Sequence, residues 1–155
     1  MKTVLLLSVL AVLLSCAGTK EITFSEEVVV TSETDSNPDW VVKQKKAKIG
    51  KFMESDYVDI ESVILKDNTL FIAVSYSGGC EEHDFELIGN PLIMKSLPPK
   101  RTIQLYHNAN GDSCRSLLNE ILEIDITDLA YDQTEGSEII LVLEGWAEEI
   151  NYIFK

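Results

Sequence analysis

The sequence is poor in the residues from which reactive centres are usually built. Its 155 residues include three cysteines and only two histidines, His83 and His107. It has no Gly-x-Ser-x-Gly, no His-Glu-x-x-His and no glycine loop of the phosphate-cradling kind. Those absences remove the hydrolase elbow, the helical zinc-protease pair and the mononucleotide loop as readings. Positive charge is scarce too: 13 Lys and Arg stand against 26 Asp and Glu, a formal net charge of -13. Phosphate backbones repel such a chain, so nucleic acid is not an expected partner. An anionic membrane surface repels it for the same reason. No apolar run reaches the roughly 20 residues that a spanning helix needs.

What is present begins with residues 4–14, an almost unbroken apolar run behind the cation Lys2. Its length and flank suit the hydrophobic region of an export signal. The run closes on Leu13, Leu14, Ser15 and Cys16, followed by Ala17 and Gly18. In this segment the chain resembles bacterial lipoproteins, whose lipobox sets an aliphatic residue, a small or aliphatic residue and a small residue before cysteine. Leu13, Ser15 and Cys16 match; Leu14 is bulkier than the usual residue at its place. The resemblance implies a signal peptide cut before Cys16, a thioether from Cys16 to diacylglycerol, and a new amino terminus acylated with a palmitate-like chain. Ala17 is not the aspartate that such families associate with inner-membrane retention, so the resemblance implies the outer membrane of a bacterial cell envelope. Each buried lipid CH2 contributes about 0.8 kcal/mol, and two or more chains hold stably where one is marginal. Such a membrane anchor needs no protein helix.

The expected organisation is a signal at residues 1–15, a lipidated tether and lead-in over 16–50, and one domain over 51–155. Removing the signal takes Lys2 from the 13 basic residues and no acid, which leaves the mature part still more acidic. Within the tether, Ile22, Phe24 and residues 28–30 offer one edge strand, and residues 31–38 are polar and turn-forming. Lys43, Lys45, Lys46, Lys48 and Lys51 make one basic cluster. A solvated loop or short helix is the expectation for it.

The body reads as all-β. Residues 58–65 and 69–76 are rich in β-branched and aromatic side chains, and the polar residues between them predict a hairpin. Leu70, Ile72, Val74 and Tyr76 share one face by period-2 alternation. Residues 84–88 make a short third strand. Pro91, Pro98 and Pro99 bracket an apolar loop, expected to cross between sheets. Residues 102–107 and 121–126 alternate again, with Leu122, Ile124 and Ile126 inward; residues 115–119 suit a helical turn. The most apolar strand is 138–144, and 150–154 returns as a terminal hairpin. About seven short strands with turns at regular intervals predict a single antiparallel β-sandwich, immunoglobulin-like in general architecture, with an open β-barrel as the alternative.

With Cys16 lipidated in an oxidising compartment, Cys80 and Cys114 are left to form a disulfide. Each follows a strand and lies in a glycine-containing loop. The same residues admit another use. Cys80, His83, His107 and Cys114 offer two thiolates and two imidazoles, a tetrahedral set for zinc or copper(I), provided that the thiols stay reduced. A further variant keeps the bridge and holds a metal between His83, His107 and an acid, Glu82 or Asp112. The plainer expectation is that both histidines hydrogen-bond loop backbone around the bridge, with no cofactor. A Cys80–His107 nucleophile pair needs an unbridged thiol, so no enzyme is expected. These readings converge on a lipid-anchored envelope protein, a non-catalytic interaction or structural module. Its partner would be an envelope protein, met at the loop end carrying residues 78–83 and 107–114. The alternative is a metal-binding lipoprotein.

Overall fold

The computed structural model describes residues 41–155. Cys16 and the strand expected near residues 22–30 lie outside the described residues. The described chain runs β1 (Val41–Lys46), β2 (Lys48–Ile49), β3 (Asp59–Lys66), β4 (Thr69–Gly78), β5 (Asp84–Gly89), β6 (Lys100–Asn108), β7 (Ser116–Asp125), a 3-10 turn (Thr127–Leu129), β8 (Glu138–Leu143) and β9 (Glu149–Ile153). Two sheets form, ordered β1-β7-β4-β3 and β2-β5-β6-β8-β9. The architecture is an all-β sandwich, and neither sheet closes into a barrel. No helix among the described residues is long and apolar enough to cross a membrane.

Alternation drives the packing. Leu70, Ile72, Val74 and Tyr76 of β4 lie inward with Leu122 and Ile124 of β7. Opposite them, Phe85 and Leu87 of β5, Ile103 and Leu105 of β6, and Ile139, Leu141 and Leu143 of β8 complete one core with Tyr152 of β9. Burying a side chain of this size contributes about 1.5–3 kcal/mol relative to leaving it in water. The predicted β3–β4 hairpin is present, with Asp67 at φ 52 in its two-residue turn. The terminal β8–β9 hairpin is present as well.

Four expectations are corrected. The sandwich is mixed: β1 with β7, β2 with β5 and β6 with β8 run parallel. Inward and outward positions alternate identically in either strand direction, so the pattern along one strand carries no sign of it. Apart from Lys51, the lysine-rich segment is not a loop or helix. It is β1 and β2, one extended run that leaves the first sheet at buried Ala47 and enters the second. Its lysine stems lie along an edge while Lys43 and Lys46 reach Glu120 and Asp128. The apolar loop with three prolines does not cross between sheets; it joins β5 to β6, neighbours in the same sheet. Residues 116–119, expected as helical, begin the long strand β7, where ten residues pair with the whole of β4. That ladder overrides a weak local preference.

The true crossings between sheets at one end are the β4–β5 and β6–β7 connections. Each carries one of the two cysteines, and they meet.

Candidate functional site

Strand β4 ends in Gly78, and the chain turns through Gly79 (φ 115), Cys80, Glu81, Glu82 and His83 into β5. Strand β6 ends at Asn108, and a tight turn through Asn110 (φ 52) and Gly111 (φ 74) leads to Asp112 and Cys114. Both turn residues stand in the left-handed region, where asparagine and glycine are tolerated. Asn110 stitches the two connections together: its amide Nδ2 donates to the Glu82 carbonyl at 2.7 Å and to Asp84 Oδ2 at 3.0 Å.

Cys80 and Cys114 form a disulfide across a sequence separation of 34, with their Cα atoms 5.9 Å apart. Beside it, Asp112 closes the loop. Its Oδ2 accepts the backbone N–H groups of Gly79, Cys80 and Glu81 at 2.8, 2.9 and 3.0 Å. Its Oδ1 accepts the N–H of Cys114 at 2.8 Å. These donors lie outside the strands, and the carboxylate supplies the acceptor that a ladder would otherwise give them. The amides, led by Cys114 and followed by Cys80 and Glu81, hold the carboxyl of Asp112 well below the usual carboxylate range.

His83 and His107 are buried, 4% and 2% exposed, and meet directly. His83 Nδ1 and His107 Nε2 are 2.8 Å apart. His83 Nε2 is 3.2 Å from Asp112 Oδ2, and His107 Nδ1 is 3.0 Å from the Tyr57 carbonyl. The His107 backbone N–H donates to Ser55 Oγ at 2.9 Å. Burial pushes the His107 ring below the ordinary histidine value, partly opposed by its bond to the Tyr57 backbone. Phe85 stacks on His107 at a centroid distance of 4.6 Å, and the Tyr76 ring lies 4.6 Å from His83. Gly78 must be glycine here, because a Cβ would sit 2.5 Å from His83 Nε2.

Behind Tyr76 lies a carboxylate that the sequence reading passed over. Tyr76 Oη donates to Glu120 Oε1 at 2.6 Å, and Lys43 Nζ reaches the same oxygen at 2.9 Å. Burial, then the bond to Glu120, raises the Tyr76 hydroxyl far above its usual value. Among the described residues Glu120 Oε2 is the one buried side-chain polar atom without a partner. The signal was legible: Glu120 keeps the parity of inward Leu122 and Ile124 on β7.

The structure thus gathers Cys80, Cys114, His83, His107 and Asp112 at one end of the sandwich. It does not gather the first four as a ligand set, because both sulfurs are in the bridge and each histidine nitrogen faces another group. Cys80 and Cys114 cluster with Asp112 rather than with the histidines. Glu82 is exposed and contributes its backbone carbonyl, not its carboxylate.

No protein-family model and no curated protein matches the chain. Solved structures resemble it, among them three from the genera Bacteroides and Parabacteroides. A NigD-like immunity protein from Bacteroides caccae aligns with a TM-score of 0.56 at 18% identity, over 72% of this chain and 64% of that one. A protein described as toxin-related from Parabacteroides distasonis gives 0.49 at 19% identity, over 71% and 61%. A protein of unknown function (DUF1344) from Bacteroides vulgatus gives 0.45 at 18%, over 75% and 57%. The chain therefore spans less than two thirds of each of these structures, and the first of them shares its fold.

Two outcomes follow for the loop end. Replacing Cys80 and Cys114 by serine is expected to lower the unfolding free energy by roughly 3.8 kcal/mol, the chain-entropy value for a loop of this length. Urea unfolding of the double variant measures it, and an unchanged midpoint would contradict a structural bridge. Asp112, ionised far below its ordinary 3.8 in the folded chain, adds stability that is complete above the unfolded value and is lost as pH falls through the acid range. His107 acts in the same direction below 6.5, where the unfolded chain takes up a proton that the buried ring refuses. Stability curves recorded down the acid limb should be steeper for the native sequence than for Asp112→Ala.

Proposed function

We propose that the protein is a lipid-anchored module of the bacterial cell envelope that binds another protein and catalyses nothing. Its working surface is the disulfide-stapled end of the sandwich. The observation that carries this reading is the saturation of the cluster. Both ring nitrogens of each histidine and both oxygens of Asp112 have partners inside the domain. A general base or nucleophile needs a free, reachable atom aimed at substrate. Here the reactive atoms are spent on positioning backbone. What they present outward is a fixed surface of residues 79–82 and 108–113, ordered before any partner arrives, which reduces the entropic cost of binding.

The anchor is supported by Leu13, Ser15 and Cys16 in the lipobox pattern. An anchored module needs no basic surface to stay on a bilayer, in keeping with the excess of acids. One structure of the same fold is named an immunity protein. Carried over as an analogy, that word favours binding over catalysis.

Mass spectrometry of the native product is expected to find an amino terminus at Cys16 bearing diacylglycerol and an acyl chain, with Cys16→Ser leaving the membrane fraction. An intact Met1, or unaltered fractionation of the variant, would defeat the anchor. A photo-crosslinking residue placed at Glu82 in the anchored protein should capture a discrete envelope protein, whereas the same probe at Glu148 should not. Equal labelling from both positions would speak against the loop end as the working surface.

A further inference from the structure

Two neutral histidines cannot satisfy the hydrogen bonds drawn at this site. The Tyr57 carbonyl only accepts, so His107 Nδ1 donates to it across 3.0 Å. In a neutral ring His107 Nε2 is then a lone pair, and His83 Nδ1, 2.8 Å away, must donate to it. A neutral His83 that donates from Nδ1 keeps a lone pair on Nε2. That lone pair would face Asp112 Oδ2 at 3.2 Å, an oxygen already accepting three amides. Two acceptors would oppose each other with side chains only 1% and 0% exposed, where water has no access to relieve them. Reversing both tautomers merely moves the conflict to Tyr57, setting a lone pair against its carbonyl, and reversing His83 alone sets its Nδ1 lone pair against that of His107 Nε2. Placing the hydrogen on Asp112 works against four backbone donors that favour the carboxylate.

We propose that the His83–His107 pair holds one proton beyond two neutral rings, with His83 as a buried imidazolium bound to Asp112, and that this proton latches the disulfide-bearing loop end. The Tyr76 ring, 4.6 Å from His83 and tilted by 35°, offers its face to that cation. The other titratable or charged groups around the pair fit a cation. Asp56, ahead of β3, donates its backbone N–H to the His107 carbonyl and brings a carboxylate near. Glu120 on β7 stands behind Tyr76 of β4, and Lys43 of β1 pairs with Glu120 rather than with the histidines. The latch belongs to the folded domain and stands whether or not the chain is lipid-anchored. When the proton leaves, two lone pairs oppose each other within the chain of contacts from Tyr57 to Asp112, and the hold of the cluster on residues 79–81 and 114 loosens with it.

The sign of the effect is opposite to the acid limb. Above the ordinary histidine value of about 6.5 the unfolded chain gives up a proton that the latch retains. Unfolding then releases that proton, and the folding equilibrium constant falls by up to about tenfold per pH unit until the latch opens. Long-range proton–nitrogen correlation spectra of the full chain, disulfide intact, at about one unit above 6.5 test the assignment directly. Hydrogen on both nitrogens of His83, and on Nδ1 alone of His107, is the expected pattern; a bare nitrogen on either side of the His83 ring overturns it. Urea unfolding across the same alkaline range adds a second readout. The native chain should lose stability with rising pH while His83→Gln stays level, and parallel slopes overturn the latch. Should His83→Gln fail to fold, the spectra of the native chain decide alone.

Discussion

One carboxylate organises the end of this molecule where its chemistry is concentrated. A sandwich must return its chain from one sheet to the other, and each return leaves backbone amides beyond the last ladder bond. At the β4–β5 return those amides belong to Gly79, Cys80 and Glu81, and Asp112 from the β6–β7 return takes all of them on one oxygen. The other oxygen restrains Cys114. Both half-cystines therefore hang from the same side chain, which is why two loops distant in sequence meet closely enough to be bridged. Gly78 completes the constraint by leaving room for His83 to reach the carboxylate from below.

The interior is unequal along its length. Toward the bridge the space between the sheets is filled by Tyr76, His83, His107, Phe85 and Glu120, rings and polar atoms that need partners. Elsewhere it is aliphatic, from Leu70 and Ile72 to Leu141 and Leu143. At the far end buried Arg101 spends its guanidinium on the carbonyls of Leu129 and Asn90. Aliphatic packing tolerates substitution of similar volume, whereas a polar network partly undone costs more than no network. The bridge end is accordingly the part of the core with the least freedom to vary.

Much of this was legible in the residues. The alternation of Leu70, Ile72, Val74 and Tyr76, and again of Leu122, Ile124 and Ile126, gave the inward faces because burial of one sheet face imposes a period of two. The pairing of Cys80 with Cys114, present in the structure, was legible from the expected export and from the count of cysteines. What alternation could not carry was direction and neighbour: a strand reads the same whether its partner runs with it or against it, so β1 beside β7 and β6 beside β8 stayed hidden. Five lysines within residues 43–51 suggested solvent, yet long aliphatic stems let lysine line a sheet edge with its charge in water. At the site, His83, His107 and Asp112 were named from their types, but their mutual contact depends on two loops meeting in space. Tyr57 acts through its carbonyl, an atom every residue possesses, and no side-chain pattern could have singled it out.

The ladder between β4 and β7 has a kinetic side. Its pairs run from Thr69 with Asp125 to Gly78 with Ser116, all remote in sequence, and contacts of that kind make folding slow, roughly milliseconds to seconds. The bridge sits immediately past the Gly78–Ser116 rung. A chain oxidised before it folds therefore starts with the two strands of its longest ladder already side by side at one end, and the search that limits the rate is shortened to zippering from that rung.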